Sequence, residues 1–126
     1  MSLAQDAFRE TSMDAPPKSP ECRGPVPPGG IVHVLRGFYE GLEWPIDREW
    51  VVVGRGRGAD LVIAEPTISR AHAAIGFDGE HFFVQDLGST NGTLVNGARG
   101  HQVRVKNGDE IQIGKLLLRV TLPTQS

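Results

Sequence analysis

Short apolar runs separated by glycine-bearing turns follow one another along residues 31–126. Late in the chain the alternation has a period of two, as where Ile111 and Ile113 flank Gln112. A strand places successive side chains on opposite faces, so such a pattern puts the apolar side chains on one face of a sheet. The pattern predicts strands at 31–35, 42–46, 50–53, 61–63, 72–77, 81–86, 93–95, 102–105, 110–113 and 116–122.

Three dipeptides between these runs favour tight turns. They are Asp78-Gly79, Asn96-Gly97 and Asn107-Gly108, and each predicts a hairpin between the strands on either side. No stretch has the helical amphipathic period over a useful length. The sequence therefore predicts an all-β sandwich of mostly antiparallel strands.

The first 30 residues have a different composition. Six of the nine prolines lie before residue 31, and the stretch 14–30 has almost no apolar periodicity. Such a segment cannot bury enough surface to offset the entropy of ordering its backbone. We predict a flexible Pro/Gly-rich tail over residues 1–30. The compact unit over residues 31–126 is then long enough for a single core.

Charge and cysteine usage exclude several classes of function. Lys and Arg total 13 against 15 Asp and Glu, a net charge of −2, whereas a nucleic-acid binder is expected to be basic. The single Cys22 excludes an internal disulfide, and His33, His81 and His101 lack metal-ligand spacing. Neither a long apolar run nor a signal peptide is present. We expect a cytoplasmic monomer without metal, cofactor, nucleic-acid or membrane binding.

The glycine-rich segment 54–58, GRGRG, is the first candidate site. A phosphate loop of the nucleotide-binding type requires a helix directly after it, because the helix N-terminus provides the anion site. Here a strand pattern follows, so we interpret the segment as a tight turn. The turn carries Arg55 and Arg57.

The segment 67–72, TISRAH, is the second candidate, with a hydroxyl, a guanidinium and an imidazole close together. Ser69 and His72 could form a nucleophilic pair oriented by Asp86. That chemistry also needs an oxyanion hole, and nothing in the sequence indicates one. We predict that the chain is not an enzyme.

A third cluster, DLGSTNGT at 86–93, is richer in hydroxyl and amide groups than a turn requires. Taken in order, Gly54-Arg55, the segment 69–72 (SRAH), the segment 87–93 and Asn96-Gly97 resemble the motifs of the forkhead-associated (FHA) domain family. The resemblance covers residues 31–126. It implies a sandwich of about eleven strands that binds phosphothreonine through loops at one end.

The resemblance assigns a role to each polar residue of these motifs. Arg55, Ser69 and Thr90 match phosphate-contacting positions, with Arg70 at or beside the pocket. Asn91 matches the position whose amide holds the peptide backbone. Phosphothreonine carries nearly two negative charges and three strong acceptor oxygens, which a guanidinium and hydroxyl donors suit.

The resemblance also implies a set of supporting residues. His72 matches a buried histidine that braces the binding loops, and Gly54 and Gly92 permit backbone conformations that a side chain would obstruct. The implied partner is a phosphothreonine protein of a Ser/Thr kinase pathway.

Two alternatives remain open at this stage. The domain could mediate phosphate-independent protein interaction, or it could be a fragment of a larger signalling or secretion protein. In addition, Thr11 lies in the acidic tail as a possible kinase site. Once phosphorylated, it could occupy the pocket of its own molecule or of a neighbour.

Overall fold

The computed structural model describes residues 17–123, which form eleven strands and no helix. None of these residues therefore belongs to a helix that could cross a membrane. The strands are β1 Gly30–Arg36, β2 Glu43–Ile46, β3 Trp50–Gly54, β4 Leu61–Val62, β5 Ala73–Phe77, β6 Phe82–Asp86, β7 Thr93–Val95, β8 Ala98–Arg99, β9 Gln102–Val105, β10 Glu110–Ile113 and β11 Leu116–Thr121.

The strands form two sheets that pack face to face. One sheet has six strands in the order β2-β1-β11-β10-β7-β8, and the other has five in the order β4-β3-β5-β6-β9. The pairs are antiparallel except β3 with β4, which is parallel. The prediction of an all-β sandwich is confirmed.

The apolar side chains of both sheets meet in one main core. In β11, Leu116, Leu118 and Val120 are at most 1 % exposed while Arg119 and Thr121 face solvent. This is the period-two pattern of a sheet with one buried face. Strands β3 and β5 instead are buried on both faces, which shows that something covers the outer side of the five-stranded sheet.

The N-terminal segment, residues 17–29, contributes to that cover. Cys22 is 8 % exposed in a second apolar cluster that also contains Trp50, Val52, Ala74 and Phe83. Burial raises the pKa of the Cys22 thiol, and the thiol donates a hydrogen bond to the Glu49 carbonyl at 3.2 Å.

Polar contacts fix the same segment. Lys18 pairs with Glu49 at 2.7 Å, and the Arg23 N–H donates to the Phe77 carbonyl at 2.9 Å. Within the predicted tail 1–30, residues 17–29 therefore pack against the sandwich, because Cys22 and Val26 supply apolar anchors to the two clusters. Residues 1–16, with Thr11, and residues 124–126 lie outside the described residues.

The predicted hairpin at Asp78-Gly79 is confirmed, and Asn96-Gly97 forms a tight turn to a strand, β8, that was not predicted. Asp78-Gly79 lies between the paired strands β5 and β6, and Asn96-Gly97 joins β7 to β8 with φ of 50° and 87°. Asn107-Gly108, however, connects β9 to β10, which belong to different sheets, so the hairpin prediction is wrong there. The Asn107 side chain instead accepts a hydrogen bond from the Leu122 N–H at 3.0 Å and so ties this crossing to the end of β11.

Candidate functional site

Three loops meet at one end of the sandwich, beyond the end of β3, the start of β5 and the end of β6. We call them the binding loops: 54–58, 65–72 and 86–92. The Arg55 N–H donates to the Ser69 carbonyl at 3.0 Å, and the Gly56 N–H donates to the Arg70 carbonyl at 3.0 Å. The Ser69 hydroxyl oxygen accepts the Thr90 N–H at 3.1 Å. These bonds bring Arg55, Ser69, Arg70 and Thr90 together from three separate segments.

Gly54 allows the first two loops to approach closely. A Cβ atom at this position would overlap the carbonyl oxygen of Arg70. Any residue with a side chain would therefore push the loop that carries Ser69 and Arg70 away from β3.

The Arg55 side chain is exposed but anchored. Its Nε donates to the Ile68 carbonyl at 3.0 Å, and this bond fixes the direction of the guanidinium. Within residues 17–123 the two terminal nitrogens of Arg55 make no hydrogen bond of their own. Arg57 and Arg70 are exposed nearby, so this end of a chain with net charge −2 carries a local group of cations.

His72 is 0 % exposed and joins the second loop to the third. Its Nδ1 accepts the Ser69 N–H at 3.0 Å, so the ring proton is on Nε2, which donates to the Gly92 carbonyl at 2.8 Å. Burial lowers the pKa of His72, although the Gly92 carbonyl and the Asp86 charge partly oppose this. A neutral imidazole therefore holds the loops at neutral pH.

Asn91 connects the third loop to the second. The side-chain Nδ2 of Asn91 donates to the Thr67 carbonyl at 2.8 Å. The backbone carbonyl of Asn91 accepts a hydrogen bond from Arg99 Nη2 at 2.9 Å. Gly92 follows with φ of 84°, and a Cβ there would overlap the Arg99 guanidinium. The left-handed backbone favours glycine, whereas the exposed Arg99 side chain could move away from a Cβ.

Asp86 organises the third loop, a role that sequence reasoning missed. Its carboxylate accepts the hydroxyls of Ser89 at 2.5 Å and Thr93 at 2.7 Å, and the N–H groups of Gly88 and Ser89 at 3.0 and 3.1 Å. Burial raises its pKa, but the four donors outweigh burial and the net pKa is lowered. The sequence signal for this role is an Asx turn, in which Asp86 has Gly88 and Ser89 two and three residues after it.

These bonds do not form the nucleophilic arrangement considered from the sequence. Both ring nitrogens of His72 are engaged, with the Ser69 backbone N–H and the Gly92 carbonyl, and Asp86 binds hydroxyl and amide donors. The Ser69 hydroxyl contacts the Thr90 N–H instead. Within residues 17–123 no group of His, Cys, Asp and Glu could hold a metal ion. The gathered donors are of the kinds that bind an anion.

Arg99 is a second residue that sequence reasoning missed. It lies on the exposed two-residue strand β8, next to Asn91 and Gly92 in space, and no local pattern marks it. Only the pairing of β7 with β8, where Leu94 lies opposite Arg99, brings it to the third loop.

Comparison with known proteins places this arrangement in a family. The FHA domain profile matches residues 51–114, just over half of the chain. The chain is 38 % identical over 94 residues to the oxoglutarate dehydrogenase inhibitor of Corynebacterium jeikeium, which covers 74 % of this chain and 65 % of that protein. It is 37 % identical over 102 residues to the glycogen accumulation regulator GarA of Mycobacterium tuberculosis, with coverage of 79 % and 63 %.

The chain thus spans less than two thirds of the length of either relative. Among solved structures, an FHA domain studied for phosphothreonine-dependent interactions superimposes with a TM-score of 0.70 at 28 % identity. It covers 76 % of this chain and 98 % of that one. The two-sheet fold, the motif residues gathered at one end and these similarities show that the chain belongs to the FHA domain family.

Proposed function

We propose that this domain is a non-catalytic module that binds phosphothreonine-containing proteins in Ser/Thr kinase signalling. The observation that carries the proposal is the 3.1 Å contact between the Ser69 hydroxyl oxygen and the Thr90 N–H. With the bond from the Arg55 N–H to the Ser69 carbonyl, this contact brings Arg55, Ser69 and Thr90 together, and His72 joins the second loop to the third.

The chemistry of these groups supports a phosphate ligand. The Arg55 guanidinium supplies a permanent charge in a planar fork, and the two hydroxyls supply neutral donors. The nearby Asp86 carboxylate already accepts four hydrogen bonds, so its charge is turned toward the protein. A phosphothreonine dianion then meets donors on several sides.

Asn91 supports recognition of a peptide backbone in addition to phosphate. Its amide nitrogen bonds to Thr67, which fixes the side chain at the edge of the site. A fixed amide can accept a backbone N–H through its oxygen. The assignment is Arg55, Ser69 and Thr90 to phosphate, Arg70 to the rim of the pocket, and Asn91 to the peptide.

Calorimetric titration with one peptide in three forms tests the proposal. The phosphothreonine form is expected to bind, the phosphoserine form to bind more weakly, and the unphosphorylated form not to bind. Arg55→Ala should lose about 2–5 kcal/mol, the range for removing one partner of a desolvated charge pair. Arg119→Ala is the matched control, because Arg119 pairs with Glu110 at 2.8 Å on β11, outside the binding loops. Equal binding of the three forms would instead favour a phosphate-independent interaction domain.

We also propose Thr11 as a regulatory phosphosite that competes for the same pocket. Lys18 is held at Glu49, just before β3, while Arg55 follows the far end of that strand. The strand path between them is about 20 Å, and the seven chain steps from Thr11 to Lys18 span at most about 23–25 Å. Binding in its own molecule would need an almost fully extended tail.

A Thr11-phosphorylated chain tests this second proposal. Its affinity for an external phosphopeptide should fall relative to the unmodified chain, and Arg55→Ala should abolish self-association of the phosphorylated form. Sedimentation over a range of protein concentrations separates binding within one molecule from binding between two. Undiminished affinity for the external peptide would exclude the competition.

A further inference from the structure

The loop between β1 and β2 carries three of the four exposed large hydrophobic residues of the described chain. Phe38 is 54 %, Tyr39 49 % and Leu42 37 % exposed, and the one other large hydrophobic residue of residues 17–123 with comparable exposure is Val62 on β4. The Phe38 and Tyr39 rings contact each other with centroids 6.4 Å apart. We call these two side chains the aromatic shelf.

The shelf stands on an ordered turn. The Leu42 N–H donates to the Tyr39 carbonyl at 2.9 Å, and the Gly41 N–H donates to the Val34 carbonyl at 2.8 Å. Tyr39 has a φ of 66°, a left-handed conformation that glycine and asparagine adopt far more readily than tyrosine. Neither the geometry of the turn nor packing in the core explains an aromatic residue at this position.

The shelf lies at the same end of the sandwich as the binding loops. Gly37 packs against Leu116 and the buried Glu65, which is 6 % exposed. The Glu65 carboxylate accepts the Thr67 hydroxyl at 2.9 Å, and the Thr67 carbonyl accepts Asn91 Nδ2 at 2.8 Å. Thr67 therefore connects the surface beside the shelf directly to the peptide-binding position.

A hollow of about 400 Å³ separates the shelf from the turn between β10 and β11. Its walls include Arg36, Phe38, Glu65, Gln112 and Lys115. Exposed Arg36 and Lys115 disfavour a cationic guest, and the buried Glu65 carboxylate disfavours an anionic one. Neither the cations nor the carboxylate disfavours a neutral apolar side chain, and the exposed rings of the shelf offer such a side chain an apolar contact surface.

We propose that the shelf and this hollow bind a large apolar side chain of the same phosphorylated partner. This inference rests on the proposed function, because the phosphothreonine anchors the partner at the binding loops. Residues 65–69 span at most about 14 Å, so an extended peptide crossing Thr67 reaches the shelf about four to six residues from the phosphothreonine. Partners with an aromatic or leucine residue at that separation are selected.

Phosphothreonine peptides in a small-residue background test the shelf. One phenylalanine is moved through the positions on either side of the phosphothreonine, and alanine at the same position gives the matched peptide. Fluorescence polarisation should show about threefold to tenfold tighter binding for phenylalanine at the favoured position, the factor expected for an aromatic contact.

The double variant Phe38→Ser/Tyr39→Asn should abolish that gain and leave the affinity for the alanine peptide unchanged. Asparagine accepts the left-handed conformation, so the variant should unfold no earlier than the wild type. Val62→Thr is the control for loss of an exposed apolar side chain.

The outcomes separate the two proposals. Binding of the alanine phosphopeptide with no gain at any phenylalanine position would overturn the shelf and leave the phosphothreonine module standing. A loss of affinity for both peptides in the double variant would show that the loop supports the binding loops, which also overturns docking. Failure of every phosphopeptide to bind the wild type would overturn the proposed function and the shelf together.

Discussion

The binding loops and the N-terminal segment are held to the same sandwich by different interactions. The loops depend on side-chain hydrogen bonds to backbone groups, centred on His72 and Asp86. The segment 17–29 is held by apolar cover over the five-stranded sheet, with Cys22 in its cluster. Directional bonds fix the position of each donor, whereas apolar burial mainly contributes stability. Substitutions in the binding loops should therefore lower phosphopeptide affinity, some of them with a loss of stability, whereas substitutions in the segment 17–29 should lower stability alone.

The largest effect is expected for His72→Ala. This change leaves the Ser69 N–H and the Gly92 carbonyl without partners and opens a cavity, which costs about 2–4 kcal/mol of unfolding free energy. Urea unfolding measures the loss. Phosphopeptide affinity should fall as well, and a variant that kept full affinity would contradict the bracing role.

The pH dependence of stability gives a second measure of the same residue. Because the folded-state pKa of His72 is lowered below 6.5, the unfolded chain takes up the proton first as the pH falls. The His72 contribution to stability is thus complete above about pH 6.5 and decreases below it. Removing the imidazole, as in His72→Gln, should flatten the slope of unfolding free energy between pH 7 and 5.

Asp86→Asn should have a slightly smaller effect. The amide offers one acceptor oxygen where the carboxylate receives four donors, and the cost is about 1.5–3 kcal/mol. The Asp86 contribution is present above its unfolded pKa of 3.8 and is lost as the pH falls through the lower folded value. Acid titration of unfolding free energy should therefore lose part of its slope below pH 4. Asp47→Asn, at an exposed carboxylate, is the control.

Cys22→Ser should lower stability without changing affinity. A polar hydroxyl in the apolar cluster should cost about 1 kcal/mol of unfolding free energy, since serine can still donate to the Glu49 carbonyl. Phosphopeptide affinity should be unchanged because the bonds from Cys22 to Glu49 and from Arg23 to Phe77 lie outside the binding loops. A parallel loss of affinity would show that the two regions are coupled.

The smallest effect on stability is expected for Arg99→Gln. The lost bond to the Asn91 carbonyl should weaken peptide binding by about twofold to tenfold while the unfolding midpoint stays constant. A double-mutant cycle with Asn91→Ala checks the mechanism. If Arg99 acts through Asn91, the two losses are not additive. Additive losses would assign Arg99 a separate contact with the ligand.

Local pattern predicted the fold well where one sheet face is buried. The strands at 102–105 and 110–113 match at both ends, since period-two alternation marks them directly. The two-residue strand β8 has only exposed residues and was not predicted. Asn107-Gly108 has hairpin chemistry, but the packing of two sheets decides that the chain crosses there.

In the candidate site, too, local sequence patterns identified some residues, and contacts between distant segments determined others. The motif residues from Arg55 to Asn91 are grouped in three short segments, so the sequence could name them as candidates. Arg99 reaches the third loop through strand pairing alone, and Cys22 lies in a proline-rich stretch without periodicity. Contacts between distant segments of the chain determine both positions, and local composition carries no signal for them.

The positions of Lys18 and Leu122 determine from which end of the sandwich the domain can be attached to another body. Lys18 contacts Glu49 before β3, and the Leu122 N–H bonds to Asn107 at the crossing between the sheets. Both places lie at the end of the sandwich away from Arg55 and Thr90. An attachment made directly at Lys18 or just after Leu122 therefore begins at the end of the sandwich opposite the binding loops. Immobilisation at either of these two points should give the same affinity for a phosphopeptide in solution.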